Sequence, residues 1–435
     1  VKLAVIGCWH QGVVGAACLA ERGHEVVGQV GDAATVAKLN SGWAPLFEPG
    51  LDDLLAATTA SGRLRFVVDP AEAVAGAEVV LIMHDTPVDD DDRSDLSGIF
   101  ADVERAASSL TPAASVYVTA QVPVGTCDEL AALIRAANPG WSGGIAYSPE
   151  NLRLGQALER FRTPPLPVIG IDPAAGNPAL DALLAEFPVT WMRVTLRTAE
   201  MSKHALNAFL ATSICFANEL GNLCDRLGAD GHQLAGALRL EPRIGAKAML
   251  FPGLGFSGGT LARDLQTLRG FGDALGVETR LLDGAWSANQ AQNLVVVETL
   301  RRRLGGLAGR RIAVLGLTYK PDTSTLRRSA ALEVIAALTG QGAVVAAHDP
   351  KADPAELASI GGFTVCDEPL AAASRADALV LMTPWADYRA LDPAGVKAAM
   401  SGTLVFDTAN FWPLAAWEQT GLEVLTIGRG RSAFA

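Results

Sequence analysis

Two blocks of this chain alternate short, continuous apolar runs with helical stretches, and the block between them has no such runs. In the first block, KLAVIG, HEVVGQV, AEVVLIMH and ASVYVTA are separated by stretches such as GVVGAACLAERG. Runs that are apolar throughout, rather than alternating, suit strands buried on both faces, and helices between them supply the crossovers that parallel strands need. RRIAVLGLTYK, AVVAAHDP, ADALVLMTPW and GTLVFDTAN repeat the pattern near the end. From about Arg197 to Asn293 the pattern changes. There, AEMSKHALNAFLATSICFANELGNLCDRLG places apolar residues at helical spacing over many turns. The expected fold class is α/β: two Rossmann-like doubly wound parallel-sheet domains joined by a central helical domain. The expected domains are residues 1–196, 197–295 and 296–435. A long helix of this kind commonly carries a dimer interface, and core burial explains its pattern equally well.

Composition narrows the function classes. A length of 435 residues suits two or three domains, and 49% hydrophobic with 19% charged residues argues against disorder. A net charge of −12 disfavours a general nucleic-acid binder. The six cysteines have no CxxC spacing, so neither a zinc site nor a disulfide framework is expected, and a reducing cytoplasm is the default compartment. No 18-residue apolar run or signal peptide is read, and the first residues, VKLAVIG, already form a strand pattern, so no membrane partner is expected.

Two loops carry the chemistry. GLGFSGGTLARD, Gly253 to Asp264, packs four glycines, an aromatic and a charged pair into twelve residues. So much glycine is entropically costly, and loops of this kind let backbone approach a ligand. GCWHQG, Gly7 to Gly12, follows the first strand run in the place of a G-x-G-x-x-G dinucleotide fingerprint. Gly7 serves the tight turn and Gly12 the helix packing, but Trp9 replaces the glycine that lets a pyrophosphate approach. A side chain that large must point away or fill the pyrophosphate space. Lys203 and Asn207 are four residues apart in the helical block and share one helix face, where an ammonium and an amide could stabilise an oxyanion.

LNSGWAPLFEPGLDDLL, TPVDDDDRSDLS, VPVGT, YSPENLRLG, EMSKHALNAFLA, RIG, the glycine loop and GLTYKPDTSTLRRSA occur in that order. Together they resemble the UDP-glucose/GDP-mannose dehydrogenases, the nucleotide-sugar 6-dehydrogenases, over nearly the whole chain. The resemblance implies NAD-dependent oxidation of a sugar CH2OH to an aldehyde and then to a carboxylate, the second step through a cysteine thiolate. It implies catalytic roles at Lys203, Asn207, Asp264, Thr260 and Glu150. It implies cofactor contacts at Gly7, Trp9, Gln11, Gly12, Asp32, Thr86, Gln121 and Arg327. Substrate contacts are implied at Leu152, Arg243, Phe256, Gly258 and Lys320, with Arg243 reaching across a homodimer, and no metal is implied.

The chain departs from the family pattern at several of these places. Thr260 stands where the family loop has its cysteine, and a threonine hydroxyl is a poor nucleophile without an adjacent base. Cys215 and Cys224 fall on the long helix and read as core residues. The acidic ribose-binding position aligns with Val30, with Asp32 two residues on. Gln121 replaces a threonine that helps position a water, Leu154 an acid, and Ala409 an arginine that contacts the nucleotide sugar. His84 and His204 read as structural.

The expected function is therefore an NAD-dependent oxidoreductase acting on a nucleotide-linked sugar or nucleoside at a primary alcohol. It would perform one hydride transfer or an internal redox-neutral reaction rather than full oxidation to the uronate. The alternatives are a non-redox or non-catalytic homologue using the fold as a binding scaffold and a conventional UDP-sugar 6-dehydrogenase. A cytoplasmic homodimer with a small-molecule substrate and NAD is the expected setting.

Overall fold

The structure is a computed structural model that describes residues 1–89, 94–150, 152–171 and 178–430. Residues 90–93 of TPVDDDDRSDLS and Asn151 of YSPENLRLG lie outside the described residues. The chain forms two compact units, Val1–Ala205 and Leu206–Ala435.

The first unit is built on eight strands: β1 (Lys2–Ile6), β2 (Glu25–Gln29), β3 (Leu64–Val67), β4 (Val79–Ile82), β5 (Ser115–Val118), β6 (Ile145–Tyr147), β7 (Val168–Ile171) and β8 (Met192–Val194). Their order across the sheet is β3-β2-β1-β4-β5-β6-β7-β8. The reversal between β1 and β4 opens the crevice where doubly wound sheets receive ligands. The four apolar runs expected from the sequence are β1, β2, β4 and β5. Both faces of the sheet are covered, one by a cluster including Val5, Val14 and Leu81 and the other by one including Ile6, Val80 and Val116. The sheet is not wholly parallel as expected: β7 runs antiparallel to β6. A short apolar run does not record the direction of its strand, and these two have only three and four residues.

The second unit has six strands, all parallel: β9 (Arg311–Leu315), β10 (Val344–His348), β11 (Thr364–Val365), β12 (Ala378–Leu381), β13 (Leu404–Asp407) and β14 (Glu423–Thr426), in the order β11-β10-β9-β12-β13-β14. Helices dominate residues 196–303. Leu196–Leu227 runs for 32 residues across the boundary between the units, followed by Gly231–Leu238, Thr260–Leu275 and Arg280–Arg303. The third of these stops at Gly276, whose φ of +67° suits a left-handed cap. Among the described residues, no helix is long and apolar enough to cross a membrane.

Candidate active site and cofactor crevice

In the second unit the glycine loop is held by amide side chains. Asn218 accepts from Gly253 N (2.8 Å) and donates to Leu254 O (3.1 Å). From the helix Arg280–Arg303, Gln292 donates to Gly253 O (2.7 Å), Asn293 accepts from Gly255 N (3.1 Å), and Asn289 accepts from Phe256 N (2.6 Å) while donating to Phe256 O (3.2 Å). Backbone that forms neither helix nor sheet needs partners for its polar groups, and here buried amides supply them. The Phe256 side chain packs against a buried cluster that includes Ala208 and Leu265. Gly258 has φ +77°, and a Cβ there would lie 2.8 Å from the Tyr319 ring.

The clamped loop delivers Thr260 to the first position of the helix Thr260–Leu275, where it is exposed. Amides at such a helix end have no intrahelical acceptor and carry partial positive charge. One turn on, Asp264 is fully buried and accepts a hydrogen bond from the Asn207 amide. Arg263 Nε is 3.6 Å from the Asp264 carboxylate, with only 12% of its side chain exposed, so this is an interior pair and not the weak surface one its sequence position allowed. Lys203 lies one turn before Asn207 on the long helix, and both are buried.

The remaining second-unit positions are more open. Lys320 is exposed with its ammonium 5.4 Å from the Tyr319 ring, and Arg327 is exposed in the same loop region. Arg243 is 88% exposed and pairs with Glu241 at 2.8 Å. Ala409 donates its backbone N–H to Asp407 (3.1 Å), while neighbouring Asn410 binds His232 (2.8 Å) and accepts from Arg429 (2.8 Å).

In the first unit the fingerprint loop keeps its turn. Gly7 has φ +82°, and its Cα faces the His84 ring so closely that a Cβ would come within 2.5 Å of that ring's Cγ. A Cβ on Gly12 would lie 2.8 Å from Gly7 O. The helix His10–Glu21 starts inside the motif, with Trp9 at its cap position and 49% exposed, so the indole is turned largely to solvent. These features fit a dinucleotide: a tight turn, close helix packing and a helix amino end facing the crevice. Asp32 caps the next helix, accepting from Ala34 N (3.2 Å) and Thr35 N (2.7 Å). Gln29, at the end of β2, accepts from Gly7 N at 3.1 Å. Thr86 donates to Gln121 O at 2.9 Å, which joins two of the expected cofactor positions. Gln11 Oε1 is buried without a hydrogen-bond partner.

Sequence reasoning read His84 as structural and missed the other polar groups around this helix end. His10 binds buried Glu48 (3.3 Å), whose carboxylate also accepts from Gly155 N (2.9 Å) and Ala157 N (2.7 Å). His84 Nε2 binds Asp102 (3.0 Å), while its Nδ1 is buried and unpartnered. Burial raises the Asp85 carboxyl above the ordinary aspartate value. The signal was available: two histidines and an aspartate follow or flank apolar strand runs at their carboxyl ends. His204 is buried and binds Val122 O at 3.1 Å.

Glu150 accepts from the backbone of Leu152, and both line a largely apolar cleft together with Tyr117, Arg160 and Trp191. Leu154 is 57% exposed. All six cysteines are free thiols. Burial pushes Cys8 and Cys18 up to about 12 and Cys215 up to about 11, and it also raises Cys224 and Cys366. Burial and neighbouring Glu200 raise Cys127 well above the ordinary thiol. Cys215 donates to Ala285 O at 3.1 Å within the core of the second unit. Among the described residues, no group of three or more His, Cys, Asp or Glu could hold a metal ion.

Comparison with known proteins places this geometry. Residues 1–187 match the NAD binding domain of the UDP-glucose/GDP-mannose dehydrogenase family, residues 197–291 its central domain and residues 313–413 its UDP binding domain. A UDP-glucose 6-dehydrogenase of Rhizobium meliloti is 36% identical over 99% of this chain and 100% of its own length. One from Pseudomonas aeruginosa is 34% identical over 99% of this chain and 98% of its own. The structure of a UDP-glucose dehydrogenase from Pyrobaculum islandicum superposes with a TM-score of 0.84 at 32% identity, covering 98% of this chain and 96% of that one. With matches along its whole length and three domain models met in order, the chain belongs to the UDP-glucose/GDP-mannose dehydrogenase family.

Proposed function

We propose that this chain is an NAD-dependent dehydrogenase that oxidises the C6 primary alcohol of a UDP-hexose. The matched UDP binding domain and the full-length relatives named UDP-glucose 6-dehydrogenase support the substrate class. The observation that carries the chemistry is the buried Asn207–Asp264 pair beside a clamped loop that ends at a helix amino terminus. NAD, when bound, supplies the hydride acceptor. Lys203 and Asn207 hold the substrate oxygen and the charge that develops on it. Asp264 holds the water through which the hydroxyl proton leaves. Residues of the loop from Phe256 to Gly258, with Lys320, Arg243 and Leu152, orient the sugar nucleotide, and Glu150 assists as an acid or base. Gly7, Gly12, Gln11, Thr86, Gln121, Asp32 and Arg327 remain the proposed cofactor contacts, with Trp9 turned aside.

Thr260 sets the oxidation level. A second oxidation through a covalent adduct needs a thiolate at this place, and the chain's own thiols are protonated at neutral pH. On this reading the product is the C6 aldehyde, with one hydride removed per sugar. Full oxidation to the uronate is the second reading, favoured by the names of the full-length relatives. The exposed faces of Phe209, Phe216 and Leu223, seven residues apart on the long helix, support a homodimer. Deuterium at C6 of UDP-glucose tests the reaction: label appearing in the reduced cofactor supports the proposal. Unlabelled cofactor with consumed substrate overturns it.

A further inference from the structure

We propose that Glu48 joins the cofactor helix to the loop that carries Glu150 and Leu152, so that NAD and the nucleotide sugar each tighten the binding of the other. The Glu48 side chain is only 1% exposed, and it is shared among three elements. It belongs to the loop before the helix Leu51–Ala60, where its backbone carbonyl accepts from Leu51 N at 3.0 Å. Its Oε1 accepts from Ala157 N at 2.7 Å and its Oε2 from Gly155 N at 2.9 Å. The same Oε2 lies 3.3 Å from His10 Nε2. A carboxylate only accepts, so the buried His10 ring donates there. The imidazole and the Gly155 amide therefore meet on one oxygen.

Each end of this link sits where a ligand acts. His10 is the first residue of the helix His10–Glu21, at the end that receives the pyrophosphate in a doubly wound sheet. Gly155 and Ala157 close the loop after β6 that includes Glu150 and Leu152, and Gly155 takes the left-handed turn (φ +83°) that lets both amides reach one carboxylate. Buried donors and acceptors have no water to replace a lost partner, so a shift of the His10 ring changes the hydrogen bonds of the loop. A dinucleotide that fixes the helix end fixes His10 and, through Glu48, the loop. The sugar then meets a loop already ordered, and by linkage the effect runs equally in the other direction. Glu48 and His10 act through other residues, so they are positioning residues. The inference rests on the proposed function, which assigns NAD to the fingerprint turn and Glu150 and Leu152 to the sugar.

The test is calorimetric titration of the full-length protein with UDP-glucose, alone and at saturating NADH, which keeps the ternary complex from reacting. The expected result is at least about fivefold tighter binding of UDP-glucose with NADH present. His10→Leu removes the donor, so the tightening falls below about twofold while the affinity for each ligand alone stays within about twofold. His10→Gln, which restores a donor of similar reach, recovers the coupling. No tightening in the wild type, or full tightening in His10→Leu, overturns the inference. Hydrogen exchange of the wild type reads the cofactor half of the link without a variant or a sugar. NADH alone is expected to slow exchange in the peptide containing Gly155 and Ala157, and unchanged exchange there overturns the inference. Failure to bind NADH overturns it together with the cofactor assignment. Binding of NADH without UDP-glucose overturns it together with the substrate reading.

Discussion

Gly258→Ala puts a methyl group where the loop before Thr260 meets the Tyr319 ring. Two effects add. At φ +77° an L-residue sits in the left-handed region, at a cost of about 1–2 kcal/mol. The new Cβ would lie 2.8 Å from the ring's Cδ2 and Cε2, well inside ordinary van der Waals contact, and overpacking of this kind costs about 1–3 kcal/mol. The loop has little freedom to retreat, because Asn218, Asn289, Gln292 and Asn293 pin its backbone at Gly253, Leu254, Gly255 and Phe256. The expected destabilisation is about 2–5 kcal/mol, seen as a fall of roughly 5–15 °C in the unfolding temperature of the second unit. Thermal denaturation followed by circular dichroism measures it. Adding Tyr319→Ala to the variant removes the collision and leaves only the backbone part, so the pair is coupled by about 1–3 kcal/mol in a double-mutant cycle. A loss below about 0.5 kcal/mol in Gly258→Ala, within the range of ordinary surface substitutions, would refute the clamped-loop account.

Thr260→Cys is expected to raise the yield of uronate from UDP-glucose, read by mass spectrometry of the products. An unchanged product ratio would separate Thr260 from the oxidation level. Asp264→Asn keeps the shape of the buried pair but removes its charge, and kcat should fall by about 10²–10³ with little change in KM; a change confined to KM would assign the residue to binding. Cys8 and Cys18 titrate near 12 in the folded chain, so the unfolded chain loses their protons first as pH rises. Their contribution is present at neutral pH and falls above about pH 9, by about 1.4 kcal/mol per thiol per pH unit. Urea titrations of the wild type and of Cys8→Ser across that range check the slope. Phe216→Glu, placed in the exposed stripe of the long helix, is expected to yield a monomer by light scattering, and the wild type a dimer; two proteins of equal mass in solution would refute the proposed homodimer face.

The major architecture was legible because long apolar runs and helical spacing are the direct imprint of buried strands and amphipathic helices. KLAVIG and RRIAVLGLTYK contain strands of the kind expected, whereas β6, β8 and β11 have three, three and two residues, shorter than any periodicity can mark. The antiparallel step at β7 was invisible because strand direction comes from partners far along the chain. The glycine loop stood out by composition, but its clamp did not. Asn289, Gln292 and Asn293 belong to SANQAQN, a run of amides in the middle of a helix, where asparagine is a weak helix former. That local conflict was the available signal.

The central claim is tested most directly by counting NADH formed per UDP-glucose consumed, with excess NAD, and identifying the product by mass spectrometry. The account predicts one NADH per sugar and the C6 aldehyde or its hydrate. Two NADH with the uronate would contradict the role given to Thr260. Absence of NADH with every UDP-hexose tried would contradict the dehydrogenase reading itself.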